Sequence, residues 1–86
     1  MASDEYLEQT YQLMRTELED KIPEFEFIVT DLVDVGEPEA GLHNGLGTAV
    51  MLGIPLSDEL LNRLEPIMVG EKQRTYDLAV EGRTTP

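Results

Sequence analysis

Apolar residues recur at helical spacing along most of the chain. Leu7, Tyr11, Met14 and Leu18 stand 4, 3 and 4 residues apart, which lines one face of a helix over about 4–20. Ser3 and Asp4 offer an N-cap. Tyr6 and Leu13 widen the stripe, while Gln9, Thr10, Gln12, Thr16 and Glu19 fall on positions that read as solvated. The helix should stop near residues 20–22, because Pro23 disfavours helical geometry in the residue before it.

A second stripe follows at Phe25, Ile28, Leu32 and Val35, with Pro23 suited to a first turn. Its start also alternates, Phe25 and Phe27 flanking Glu26, so a short strand over 24–30 competes with the helix; the longer 3/4 spacing favours the helix. Gly36 closes it as a residue free to turn left-handed. Pro38 opens a third helix over about 38–52, with Leu42, Leu46, Ala49 and Val50 on its buried side. Three glycines, Gly41, Gly45 and Gly47, lie inside it, each costing about 1 kcal/mol relative to alanine. The four-residue step from Gly41 to Gly45 puts two bare patches on one face, which predicts close packing against the first or second helix.

Gly53 ends that helix, and Ile54, Pro55 and Leu56 form an extended connector. Ser57 caps a fourth helix with Asp58 and Glu59 in its first turn. Leu60, Leu61, Leu64, Ile67 and Met68 make its stripe, Pro66 should shorten it, and Gly70 ends the element. Residues 71–81 read either as a short strand or as a final helical turn, and 82–86 as a frayed tail. The pattern predicts one all-α domain over 1–86, a small bundle of about four helices with an ordered core of about 4–80. A domain of 86 residues buries roughly 64% of its extended surface. That builds one thin core and no deep enclosed active site.

Charge sharpens this outline. The chain carries 18 acids against 6 bases, a net of −12. Residues 1–40 hold twelve acids and two bases, and residues 41–86 hold six and four. Such a field repels nucleic acid and anionic membranes and attracts basic surfaces. The chain has no cysteine, which leaves no disulfide or thiolate chemistry. The acidic start lacks an apolar signal-peptide core, and no apolar run is long enough to span a membrane. The expected location is cytoplasmic.

No constellation for catalysis emerges. His43 is the sole histidine and has neither a second histidine nor a cysteine to share a metal with; Asn44 and Thr48 beside it form no triad. Paired carboxylates follow from so acidic a composition, and neither calcium-loop nor phosphate-cradling motifs occur. Acyl carrier proteins share this size and acidity, but the Asp-Ser-Leu attachment motif is absent, since Ser57 reads Leu56-Ser57-Asp58. The chain is expected to be no enzyme and to carry no cofactor or metal.

The segment 31–64 carries a resemblance. A helix closes at Gly36-Glu37, a helix with Gly41-Leu42 and Leu46 follows, and Ile54-Pro55-Leu56-Ser57 opens a helix with Leu60 and Leu64. This pattern resembles the small MafI-type immunity proteins of bacterial polymorphic toxin systems. Gly41 stands where that pattern usually has alanine, Gly45 and Gly47 are extra, and the tyrosine-rich stretch before the connector is missing. The resemblance implies an antitoxin that binds and neutralises a cognate toxin, often a nuclease. A nuclease must attract phosphates, so an acidic protein can dock in its basic cleft. The expected partner-binding residues are Asp31, Asp34, Glu37 and Glu39 around the break at Gly36, with Glu24 and Glu26 beside them. Phe27, Tyr6 or Met51 would supply the apolar anchor that tight binding needs. Two other readings compete: an acidic DNA mimic that inhibits a DNA-binding protein, and an adaptor or homodimer joined through the glycine-bearing helix.

Overall fold

In a computed structural model of the chain, residues 3–84 are described, with side chains through residue 82. Every regular element among them is helical: α1 Asp4–Leu18, a π-helical segment Glu26–Thr30 that continues into α2 Asp31–Asp34, α3 Pro38–Leu52, α4 Asp58–Leu64, a 3-10 turn Gly70–Lys72 and α5 Gln73–Thr84. The all-α expectation holds, and the strand alternative over 24–30 does not. The count is five helices rather than four. The fifth, α5, replaces the strand or single turn expected at 71–81 and runs through the first part of the expected tail; residues 85–86 lie outside the described residues.

Caps fix the boundaries. Ser3 Oγ accepts the Tyr6 N–H, and Ser57 Oγ accepts the Leu60 N–H, each at 3.1 Å, so both helices start where a hydroxyl satisfies an orphan amide. Pro38 is the first residue of α3. Gly36 and Gly53 end their helices with φ of +86° and +71°. At each, the next amide reaches back to the carbonyl five residues before it, Glu37 to Leu32 at 2.8 Å and Ile54 to Ala49 at 2.9 Å. This doubled closure suits a left-handed glycine. α4 stops at Leu64, before Pro66, but the chain stays packed, and Ile67 and Met68 beyond it are buried.

The core is built mainly by α1, α3 and α4. Leu7, Tyr11, Met14 and Leu18 of α1 meet Leu42, Leu46 and Ala49 of α3 and Leu60, Leu61 and Leu64 of α4, all buried. α3 is the central strut. Its glycine pair lets it approach both neighbours: a Cβ on Gly41 would lie 2.8 Å from the Val29 carbonyl oxygen, and one on Gly45 would lie 2.5 Å from Met14 Sδ. The close packing expected of this pair is therefore met on both sides at once. α5 lies along α3 in the same direction. His43 bonds Thr75 at 2.9 Å, Gly47 faces the Thr75 methyl, and the C-terminal ends of both helices share one cavity.

Two expectations about stripes fail. Thr10 is fully buried rather than solvated. Its Oγ1 donates to the Tyr6 carbonyl at 2.8 Å and accepts from Arg63 Nε at 3.1 Å. Arg63 also donates through Nη2 to the Tyr6 carbonyl and to Gln9, and stacks over the Tyr6 ring at 4.2 Å. This clasp ties α4 to α1. In the second helix Phe25 and Val29 are buried and Ile28 and Val33 are half-buried against the core, so Phe25 and Ile28 of the expected stripe pack inward, Leu32 is half-buried, and Val35 fails, being 73% exposed. The cause is the π segment, where the Asp31 N–H bonds the Glu26 carbonyl five residues back. The wider turn holds more residues per revolution, so the inward face advances by four.

Candidate functional site

The expected binding residues follow one another along one acidic stretch of chain, from the turn before the π segment to the first turn of α3. Pro23 does not open the helix as expected. The turn at 19–24 tightens with backbone bonds from Lys21 and Ile22 to the Leu18 carbonyl and from Phe25 to the Ile22 carbonyl. It ends at Glu24, a non-glycine residue with φ +60°. A left-handed conformation at such a residue is strained. Glu24 is thus exposed in the turn and not in a helical first turn. Glu26 opens the π segment, Asp31 opens α2, Asp34 closes it, and Glu37 precedes Pro38, all exposed. Glu39, in the first turn of α3, is half-buried.

Two of the six come together in one cleft. Glu26 and Asp34 face Glu8, Gln12, Arg15 and Glu19 across a polar cleft of about 620 Å³ between α1 and the second helix. Its floor is bonded shut by Tyr11 Oη and Thr30 Oγ1, 2.8 Å apart. Arg15 Nε donates to Glu19 Oε2 at 2.9 Å, and that hydrogen bond and the Glu19 charge raise the guanidinium pKa above its usual value. Asp31 lies outside this cleft, as do Glu24, Glu37 and Glu39. Reading α1 as a core stripe with a solvated back missed the contribution of Glu8, Gln12 and Arg15. The signal was present in the spacing of Glu8, Gln12, Arg15 and Glu19, which stand 4, 3 and 4 residues apart and form one polar face of α1 and its C-cap.

Of the three expected anchors, the structure separates Tyr6 from the others. Tyr6 Oη donates to the Arg63 carbonyl at 2.8 Å and its ring lies under Arg63, so it serves the fold. Phe27 is 75% exposed and Met51 79%. Phe27 stands on the acidic edge, between Glu26 and Asp31. Met51 stands near the other end of α3. Phe27 faces outward because Phe25 and Val29, two residues away on either side, take the inward positions. Asn44 Nδ2 donates to the Ile28 carbonyl at 3.3 Å, which ties this irregular segment to α3.

No family model, curated protein or solved structure matches this chain. The likeness to immunity proteins therefore rests on residues 31–64 alone. Among the described residues, no group of three or more His, Cys, Asp or Glu is placed to hold a metal ion, and no helix is long and apolar enough to cross a membrane. His43 is half-buried and bonded to Thr75, a packing role between α3 and α5. What this stretch offers chemically is a run of exposed carboxylates and one exposed aromatic ring, on backbone held by a capped helix end and a bonded π turn.

Proposed function

We propose that this protein is an immunity-type inhibitor that binds one cognate toxin with a basic surface and neutralises it by stoichiometric docking. The observation that supports the reading is the exposure of Phe27 in a stretch of chain that also carries the exposed acids Glu26, Asp31 and Asp34. A largely exposed aromatic ring is costly to leave in water and is the side-chain type that dominates interface energies. Carboxylates around it select a basic partner and speed its approach. A nuclease cleft fits both needs, having positive charge for phosphates and an apolar floor for bases.

Affinity capture from the lysate of the native organism at low salt, with mass spectrometry of the bound proteins, tests this. One near-stoichiometric basic protein, retained by the wild type and lost with Phe27→Asp and with Asp34→Lys, is the expected result. Many DNA-binding proteins that all wash off in salt would instead point to the DNA mimic. Gly41 and Gly45 are covered within the chain, so they offer no bare patch to a second copy.

A further inference from the structure

The buried core stops at Met68. Every buried side chain lies between Leu7 and Met68, and none of the described residues from Val69 onward is buried. α5 therefore has no anchor inside the molecule. It touches the core through half-buried Tyr76 and Ala79. It touches α3 through the hydrogen bond between Thr75 and His43 at 2.9 Å and through the Thr75 methyl, 3.7 Å from the Cβ position of Gly47. Its large aliphatic side chains, Leu78 and Val80, are both exposed. Where its C-terminal end meets that of α3, the fit leaves an apolar cavity of about 130 Å³, open to solvent, with Val50, Ile54, Leu78 and Ala79 among its walls. The two helices run the same way, so their negative C-terminal ends lie side by side.

The residues before α5 suit a hinge. Val69 is extended and 60% exposed, and Gly70 has φ +63° with nothing within 4 Å of its Cβ position. Ile67 and Met68 are buried, so firm packing ends just ahead of a residue that can turn without meeting a neighbour.

We propose that α5 is a strap that opens by itself: it leaves α3 in one step, turning about Val69 and Gly70, while α1 to α4 keep their packing. Local openings that expose little apolar surface lie well below global unfolding in free energy. A helix of 12 residues is marginal when isolated, since about 12–15 are needed even for good helix formers, so the released strap also unwinds. The open form bares the α3 residues that α5 now meets, His43, Gly47, Ala49 and Val50, and widens the cavity into a groove along α3. The strap is independent of the acidic stretch and of what binds there.

Hydrogen exchange of the full chain, followed amide by amide by NMR in water and in urea below the unfolding transition, tests this. The α5 amides should share one level of protection, about tenfold or more below that of the best-protected amides of α1 and α3. Their urea dependence should be shallow, because opening exposes little surface. Val29→Ala removes core packing that survives in the open form. It should speed exchange in α1 and α3 about tenfold and leave α5 unchanged. α5 amides as protected as those of α1 and α3, or accelerated equally by Val29→Ala, overturn the proposal. So does protection that decays residue by residue toward the C-terminus, which is fraying and not a strap.

Discussion

Glu24 and Thr10 show how single residues carry strain or stability that their type does not announce. Glu24 holds φ +60° on an exposed turn, a conformation that costs a residue with a Cβ about 1–2 kcal/mol. Glu24→Gly should therefore raise the urea midpoint by an amount worth about 0.5–1 kcal/mol, after the greater chain entropy of glycine is set against the strain relieved. The m-value should not change. Thr10 works in the opposite sense. Its hydroxyl is fully buried and joins the Tyr6 carbonyl to Arg63. Thr10→Val keeps the shape and leaves Arg63 Nε without this acceptor, so it should lower stability by about 1–2 kcal/mol in denaturant unfolding. Thr10 was legible as a buried position, since Leu7, Thr10, Tyr11 and Met14 follow the 3/4 rhythm. Its polarity hid it, because the arginine that satisfies it lies 53 residues away.

Elements whose start and stop chemistry is local could be read from the chain. α1, α3 and α4 begin at Ser3, Pro38 and Ser57 and end at or near a proline or glycine, and their bounds follow. α5 could not, because its inward face, Thr75, Tyr76 and Ala79, is half-buried and lacks large aliphatic residues. It packs small on small, with the Thr75 methyl 3.7 Å from the Cβ position of Gly47. The π segment was invisible for another reason: a pattern search assumes one number of residues per turn, and this helix uses two. α3 offers a contrast that tests its packing. Gly47→Ala meets only ordinary contact and should stabilise the helix by about 0.5–1 kcal/mol. Gly41→Ala gains the same propensity but drives a Cβ to 2.8 Å from the Val29 carbonyl oxygen. It should destabilise by about 1–3 kcal/mol, as read by thermal and urea unfolding of the pair.

Across the whole molecule, which spans 37 × 28 × 21 Å, α3 separates two surfaces of unlike chemistry. The acidic edge was legible as charge, from Asp31 to Glu39, but not as a shape; folding gathers Glu26 and Asp34 with Glu8 and Glu19 of α1 into one cleft and leaves Glu24 and Glu37 outside it. If the edge binds a basic partner, association should slow as salt rises, because the screening length shrinks to about 8 Å at physiological ionic strength. Stopped-flow mixing across a salt series would measure this. Phe27→Ala should act mainly on dissociation, weakening affinity by about 10- to 100-fold with little change in unfolding midpoint, since the ring is 75% exposed.

The π segment has a consequence for how this helix tolerates a change in length. A π turn is an α-helix that has absorbed one extra residue. In a chain lacking Phe27, the inward residues Phe25, Val29 and Val33 would fall at steps of 3 and 4, the ordinary helical stripe. Such a single-residue deletion should fold, keep its core and close a regular i to i+4 ladder in hydrogen exchange, while losing the exposed ring. The shorter chain would then be a folded version of the protein, one codon away, that lacks the ring on which the proposed recognition rests and retains the scaffold.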